Sequence, residues 1–189
     1  MLRDWKAKSG SFVRVAFCLA AGVVPAATLV QLSMNEMAQQ ATAIVRARVV
    51  SSSASFTGST IYTHYKLQVT ETWKAAQGAA PAEIMVPGGV ANGYRQSFPG
   101  APLLHAGSEY VLFLWTSQAG ITHIIGLTQG LFNVATQTNG SVQATRQPSG
   151  ETMLDASGWQ VEDRGLQMGL ADLKAGVAQA LSAAAGAVQ

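Results

Sequence analysis

The side chains that could do chemistry in this chain are three histidines, many serines and a few scattered acids. The spacings of His64, His105 and His123 match no zinc motif, such as two histidines four residues apart on a helix. No serine lies in the Gly-x-Ser-x-Gly turn that exposes a nucleophile, and no paired carboxylates suggest glycosidase chemistry. We therefore predict that the protein is not an enzyme and that it uses no metal and no cofactor.

Two of the histidines fall in strand-like segments. His64 shares the polar face of a predicted strand with Tyr62 and Lys66, and His123 lies near a turn. We interpret both side chains as solvent-exposed. The alternative is a periplasmic hydrolase whose site is assembled from distant residues, which would require a histidine with a carboxylate within about 3 Å.

Residues 87–107 are the best candidate for a binding site. The segment is rich in Gly and Pro and has no periodicity, and an irregular stretch of that length in a compact domain is often functional. Aromatic side chains beside an arginine are residue types that anchor interfaces. We predict Tyr94, Arg95 and Phe98 as contacts of a protein, peptide or glycan partner, with His105 as a secondary contact. The alternative is an Ω-loop that folds Tyr94 and Phe98 back over the core.

The first 27 residues predict export. An uncharged apolar run over residues 15–24 is followed by the small-residue sequence Pro25-Ala26-Ala27, which is the order found in signal peptides. Four basic residues precede the run: Arg3, Lys6, Lys8 and Arg14. The run is shorter than the ~20 apolar residues that a membrane-spanning helix needs. We predict a signal peptide over 1–27, no membrane span after its cleavage, and a periplasmic or extracellular location.

Composition limits the partners of the exported part. The whole chain has twelve Lys and Arg against ten Asp and Glu, but beyond residue 27 eight bases face nine acids. A nearly neutral domain lacks the basic patch that nucleic acid or anionic lipid would require. The single cysteine, Cys18, lies in the predicted signal peptide, so we expect a disulfide-free fold. The remaining length of about 160 residues fits one domain.

The elements that must position the candidate residues are mostly strands. Residues 32–40 predict a short helix, because Ser33 and Glu36 form a capping-box pattern. Alternation of apolar and polar residues predicts strands over 43–50 and 61–73, with the small polar stretch 51–60 as a loop between them. Further strands are predicted over these ranges: 83–86, 110–115, 120–127, 131–136 and 141–145.

Two sequence signals predict the structure of the C-terminal part of the chain. Asn139-Gly140 predicts a hairpin turn in which both residues have positive φ. After a turn-rich connector, apolar residues three and four apart predict an amphipathic helix that starts near Asp163. Its buried stripe would be Leu166, Leu170, Leu173, Val177 and Leu181.

Together these elements predict a mainly β protein with flanking helices (α+β). Long bent strands and short connections favour a small closed or partly open OB-like β-barrel, since closure removes exposed sheet edges. We predict the barrel over 28–146, with an N-terminal capping helix. The connector and the C-terminal amphipathic helix, over 147–189, would pack on it.

The order of the elements also resembles a known group. A helix runs into the strand Ala43-Ile44-Val45-Arg46-Ala47-Arg48-Val49, a second strand ends in Thr72-Trp73-Lys74, and Gly107-Ser108-Glu109-Tyr110-Val111-Leu112-Phe113-Leu114 follows a loop. This pattern resembles uncharacterised secreted bacterial domains with an OB-like barrel and, more distantly, netrin-like modules related to tissue inhibitors of metalloproteinases. The resemblance implies the fold. The inhibitors' mechanism needs a zinc-chelating N-terminal cysteine, which the exported part of this chain lacks.

These observations lead to one expected function and two alternatives. We expect an exported, non-catalytic binding module that recognises a protein, peptide or glycan through residues 87–107. The alternatives are the periplasmic hydrolase described above and a structural module of the cell envelope. An exposed apolar stripe on the C-terminal helix would favour the structural module.

Overall fold

The computed structural model describes residues 28–75 and 78–186, so the predicted signal peptide lies outside the described residues. Within these ranges thirteen strands and two helices form a mainly β protein, which confirms the predicted class. The elements in chain order are β1 (Thr28–Val30), α1 (Met34–Gln40), β2 (Ala43–Thr57), β3 (Thr60–Ala75), β4 (Glu83–Pro87), β5 (Gly89–Ala91), β6 (Tyr94–Gln96), β7 (Glu109–Thr116), β8 (Thr122–Ile124), β9 (Leu131–Thr136), β10 (Val142–Arg146), β11 (Thr152–Leu154), β12 (Gln160–Val161), β13 (Leu166–Gly169) and α2 (Leu170–Gly186).

One eight-stranded sheet forms most of the protein. Its strands follow the order β13-β10-β9-β7-β2-β3-β4, and β8 pairs with β7 beside this path. β5 and β6 form a separate two-stranded hairpin, while β1, β11 and β12 form a small third sheet in which β1 runs parallel to β11. Strands β2 and β3 are the longest, and three register shifts along their pairing bend them.

Helix α1 begins as its sequence predicts. The Ser33 hydroxyl accepts a hydrogen bond from the backbone N–H of Glu36 at 3.2 Å, and the Glu36 carboxylate accepts one from the N–H of Ser33 at 2.8 Å. The Ser33 hydroxyl also donates to the Glu36 carboxylate at 2.7 Å, and this bond, together with that from the Ser33 N–H, lowers the pKa of Glu36. At the other end, Lys74 Nζ donates to the carbonyl oxygens of Ala38 and Gln39, both at 2.9 Å, and satisfies acceptors that a helix end leaves open.

The predicted loop over 51–60 is wrong. Residues 51–57 continue β2 and pair with β3 as far as Thr57 and Thr60, on either side of the two-residue turn Gly58-Ser59. The serines in this stretch carry no apolar alternation, so the sequence pattern does not show a strand. These residues form a strand because their backbone pairs with residues 60–66 of β3, which supply the hydrogen-bond partners.

Two apolar cores lie on opposite faces of the sheet. The first is enclosed by strands β2, β3, β4, β7 and β8 and contains Val45, Val49, Tyr65, Ile84, Leu112, Leu114 and Ile124. The second lies between the sheet and both helices and contains Met37, Ile44, Phe113, Phe132, Leu173 and Val177. The helices therefore close one face, and the curvature of the sheet closes the other.

Strands β4 and β8 lie next to each other at the first core. No ladder pairs them in the described ranges, but His123 Nδ1 lies 2.9 Å from the carbonyl oxygen of Met85. A carbonyl can only accept, so this ring nitrogen donates. The five strands around the first core thus stand side by side, with one seam that side chains bridge. Closure into a barrel stays a prediction.

The C-terminal helix starts later than its apolar spacing predicts. Residues Leu166–Gly169 form β13 and pair with β10, so α2 begins at Leu170. The spacing of Leu166 and Leu170 suits a helix, but pairing with the exposed edge of β10 decides the local structure. Leu166 is exposed as a result, whereas Leu173 and Val177 are buried as predicted.

Asn139-Gly140 joins β9 to β10, as predicted, but the turn type differs. Gly140 has a φ of +82°, whereas Asn139 is not among the residues of positive φ. Asn139 instead uses its side chain, whose Oδ1 accepts hydrogen bonds from the N–H of Ser141 at 2.9 Å and from its hydroxyl at 2.8 Å. The turn therefore requires glycine at one position only.

A buried ion pair ties the connector to the sheet. Arg146 donates through both terminal nitrogens to the carboxylate of Asp163, at 2.6 and 2.7 Å. Their side chains are 7% and 2% exposed. The backbone N–H groups of Ser149 and Gly165 donate to the same carboxylate at 2.7 and 3.0 Å. The guanidinium holds the pKa of Asp163 far below its usual range.

A second ionic cluster joins α2 to the sheet. The Glu71 carboxylate accepts hydrogen bonds from Lys174 at 2.6 Å, from Arg46 at 2.8 Å and from the Trp73 indole at 3.1 Å. These bonds, led by that of Lys174, lower the pKa of Glu71 to about 2. In the described part of the chain, neither helix has the length and apolar character that crossing a membrane requires.

Candidate functional site

The candidate segment, residues 87–107, is less irregular than its composition suggests. It contains the β5–β6 hairpin, followed by a stretch that covers the first core. In that stretch Pro102 and Leu104 are buried, and the N–H of Leu104 lies 3.4 Å from the Tyr65 hydroxyl. The alternative in which Tyr94 and Phe98 fold back over the core is wrong, because both side chains are exposed; Pro102 and Leu104 cover the core instead.

The β5–β6 hairpin is fixed to the body by Gln96. Its Oε1 accepts a hydrogen bond from the N–H of Ile61 at 2.6 Å, and its Nε2 donates to the carbonyl oxygen of Ser59 at 2.9 Å. Gly89 lies so close to β3 that a Cβ there would come within 2.6 Å of Thr63 Oγ1. The hairpin therefore presents its other side chains from a well-held position.

One face of this hairpin borders a cleft of about 220 Å³. Val90 and Arg95 are cross-strand partners, so their side chains share a face. Phe98 and Leu103 complete the apolar lining, and Leu103 is 70% exposed. In the described ranges Arg95 forms no ion pair with an acid. We call this the Arg95 cleft: an open apolar surface with one uncompensated positive charge.

The four predicted contact residues do not form one site. Arg95 and Phe98 line the Arg95 cleft, but Tyr94 extends from the opposite face of the hairpin. Its ring contacts Phe56 edge-on, with centroids 6.1 Å apart, and it is 68% exposed. His105 borders a separate cavity of about 230 Å³, near Tyr110.

Sequence reasoning missed three exposed apolar side chains here: Val90, Leu103 and Phe56. Val90 and Leu103 line the cleft, whereas Phe56 lies at the end of β2, within the stretch predicted as a loop. Isolated apolar residues in a Gly- and Pro-rich segment were the available signal. Nothing in the sequence places them beside Arg95, since that depends on the hairpin pairing.

The interpretation of His64 as a solvated side chain is wrong. His64 Nε2 lies 2.9 Å from Ser55 Oγ, and its Nδ1 lies 2.9 Å from Glu83 Oε1. The histidine side chain is 21% exposed. Both ring nitrogens therefore have partners within the protein, which an isolated strand histidine would take from water.

His123 is likewise not simply solvated. Its ring lies in the seam between β4 and β8 and approaches Tyr62, with ring centroids 6.1 Å apart. Both rings line a mainly apolar cavity of about 170 Å³, together with Met85 and Pro87. We call this the Tyr62 cavity.

A wider cavity of about 480 Å³ lies between α1 and the connector. Its charged lining includes Arg146 and Asp163, which pair with each other, and Glu36, which caps α1. These charged groups already bond to other groups of the protein, so their presence in the lining does not require a ligand. In residues 28–75 and 78–186, no cluster of three or more His, Cys, Asp or Glu residues could hold a metal ion.

Comparison with known proteins adds no family. No model of a known protein family matches this sequence, and no curated protein matches it either. The function must therefore be inferred from the side chains described above.

Proposed function

We propose that this protein is an exported binding module with a partly open OB-like barrel, and that it binds a peptide segment of a protein partner in the Arg95 cleft. The observation that carries the proposal is an arginine without an ion-pair partner, set among exposed apolar side chains on a well-held hairpin. The proposed role of the cleft is binding without catalysis.

The chemistry of the cleft favours a peptide over a glycan. Its lining combines aliphatic Val90 and Leu103 with Phe98, and such surfaces accept apolar side chains. Arg95 adds a planar donor group that pairs well with a carboxylate. The matching ligand is an apolar side chain next to an acidic one, in a segment from the cell envelope or from outside the cell.

The strand arrangement supports the OB-like description. Strands β2, β3, β4, β8 and β7 enclose a common apolar core, and His123 bridges the seam between β4 and β8. A five-stranded, partly open barrel of this kind commonly binds ligands through its connecting loops. The hairpin β5–β6 is the connection that follows β4, so in an OB-like barrel the Arg95 cleft would belong to such a connecting loop.

Helix α2 gives little support to the alternative of a structural module. Its apolar residues Leu173 and Val177 are buried against the sheet, and no large apolar side chain of this helix is exposed in the described chain. Three exposed apolar side chains, Val90, Phe98 and Leu103, instead lie together at the Arg95 cleft.

Selection from a random seven-residue peptide library displayed on phage tests the proposal. The wild-type protein should enrich peptides with Asp or Glu within two residues of an apolar side chain. Arg95→Glu should lower the affinity for those peptides at least about tenfold, since a charge-assisted hydrogen bond contributes ~1.5–3 kcal/mol. Arg164→Glu is the matched control, because Arg164 is also exposed but lies elsewhere. Equal binding by wild type and Arg95→Glu would contradict the proposal.

Export needs its own test. The full chain, expressed with a C-terminal tag in a bacterium that exports proteins, should appear in the periplasmic fraction. Its intact mass should correspond to cleavage near residues 25–28. A full-length mass in the cytoplasmic fraction would contradict export while leaving the binding proposal open to its separate assay.

A further inference from the structure

Three polar side chains from neighbouring strands meet on the outer face of the sheet. Ser55 lies on β2, His64 on β3 and Glu83 on β4. The Ser55 hydroxyl oxygen is 2.9 Å from His64 Nε2, and His64 Nδ1 is 2.9 Å from Glu83 Oε1. Because each residue is held by a separate paired strand, the sheet fixes their relative positions.

The hydrogen-bond directions follow from chemistry. The Glu83 carboxylate can only accept when it is ionised, so His64 Nδ1 carries the proton of this contact. In the neutral imidazole the other nitrogen, Nε2, then holds the lone pair, and the Ser55 hydroxyl donates to it. This is the order of a nucleophile, a general base and a group that orients the base.

The backbone offers an oxyanion donor beside the nucleophile. Ile61 uses its N–H toward Gln96 and its carbonyl toward the N–H of Gly88, so neither group bonds Phe56, its partner in the register. The N–H of Phe56 therefore faces the other edge of β2. In the described part of the chain no strand pairs with that edge at Phe56, because the pairing with β7 ends near Arg48. The amide that follows Ser55 is thus free to donate to a developing oxyanion.

An apolar pocket adjoins the three residues. In the strand register Tyr62 is opposite Ser55, and Met85 is opposite His64. Both residues line the Tyr62 cavity of about 170 Å³, whereas Ser55, His64 and Glu83 are not part of its lining. It is the apolar space next along the sheet from Ser55 that could accept a short acyl chain.

We propose that Ser55 and His64 are catalytic residues, with Glu83 as the positioning residue, in a second activity: hydrolysis of esters of short apolar acids. Ser55 Oγ attacks the ester carbonyl carbon while its proton passes to His64 Nε2. The C–O bond to the alcohol breaks, and the same proton goes to the departing alkoxide. Water then attacks the acyl carbon and loses a proton to His64 Nε2. The bond between the acyl carbon and Ser55 Oγ breaks, the proton passes from Nε2 to Oγ, and the carboxylic acid leaves.

Two assays on the exported protein test this proposal: hydrolysis of p-nitrophenyl butyrate and labelling by a fluorophosphonate reagent. Fluorophosphonate labelling joins serine oxygen to phosphorus and expels fluoride, with the proton taken by the histidine. Intact mass and peptide mapping should place the label on Ser55. Ser55→Ala should lose the label and lower the background-corrected hydrolysis rate at least about 100-fold, within the range of general acid–base catalysis.

The chain supplies a matched control at Ser53. This serine is directly opposite His64 in the register and lies on the same face, but the hydrogen bond to His64 comes from Ser55. Ser53→Ala should keep wild-type labelling and turnover. Equal hydrolysis by wild type and Ser55→Ala, or a label on any other serine, would overturn the proposal. Labelling of Ser55 without turnover would overturn the hydrolytic step.

Glu83 is tested through pH dependence. The charged or titratable groups that face His64 are Glu83 on β4, Tyr62 and Lys66 on its own strand, and His123 beyond Met85. Glu83→Gln should lower the rate and change the shape of the pH–rate profile, because a neutral amide no longer orients the imidazole or balances its positive charge. Glu83→Asp should recover part of the rate. An unchanged profile in Glu83→Gln would remove Glu83 from the mechanism.

Discussion

Replacing Arg146 by methionine should destabilise the protein strongly. The Asp163 carboxylate is 2% exposed and accepts four hydrogen bonds, of which Arg146 provides two. Methionine keeps an apolar stem but has no charge and no donor, so it would leave a buried carboxylate with only two backbone donors. Breaking a buried ion pair in this way costs about 3–5 kcal/mol. That is a third or more of the total stability of a domain near the lower end of the usual ~5–15 kcal/mol.

Urea denaturation followed by tryptophan fluorescence at neutral pH measures the loss. A stability loss of this size should also lower the melting temperature by roughly 6–20 °C, at about 2–4 °C per kcal/mol for a chain of this length. The double variant Arg146→Met, Asp163→Leu should recover part of the loss, because it removes both charges together but also removes the acceptor of the Ser149 and Gly165 N–H groups. An unchanged m-value would show that the loss of unfolding free energy does not come from a change in the unfolded state.

The sign of the pH dependence gives an independent check. In the wild type, Arg146 lowers the pKa of Asp163 below its unfolded value of 3.8. The pair's contribution is therefore fully present well above that value and is lost as the pH falls below it. In Arg146→Met the buried Asp163 carboxylate lacks its cation. Protonation of this carboxylate as the pH falls should therefore remove the cost of the unpaired charge and reduce the stability loss of the variant. A loss below about 1 kcal/mol at neutral pH, or an identical acid dependence in both proteins, would refute the reasoning.

Three further predictions concern other parts of the fold. Ser33→Ala should lower the unfolding free energy by about 1 kcal/mol in urea titration, because it removes the cap of α1. Since the folded pKa of Glu71 is about 2 against 4.5 unfolded, the stability that Glu71 contributes should be lost as the pH falls through that window; Glu71→Gln should abolish this part of the acid dependence in melting curves. Alanine at both exposed residues Tyr94 and Phe98 should change the melting temperature by less than a few degrees, whereas a large decrease would make them part of the core.

Local signals predicted local structure well. The Ser33–Glu36 capping box, the hairpin at Asn139-Gly140 and the buried positions Leu173 and Val177 each depend on residues within one or two turns of each other. Interactions over such short separations leave a readable pattern, because propensity and spacing act before tertiary contacts do. The mainly β class followed from the same kind of pattern.

The failures came where a distant partner decides the structure. Residues 51–57 are a strand because β3 pairs with them, and Leu166 is on a strand because β10 does. For the same reason, the sequence pattern does not reveal which side chains meet in the candidate sites. Ser55 and Glu83 lie 9 and 19 positions from His64, and Arg146 lies 17 positions from Asp163, at spacings that fit no motif. Only the strand register brings these side chains into contact.

The pairing of β1 with β11 also constrains the order in which the protein can fold during synthesis. Thr28 pairs with Thr152, and the N–H of Gln31 donates to the carbonyl oxygen of Leu154 at 2.8 Å. The first strand of the described chain thus has no partner until almost the whole polypeptide has emerged. Contacts between such distant residues form slowly. Until β11 has been made, β1 therefore remains available to chaperones and proteases, and it can dock before β13 and α2, which are made later.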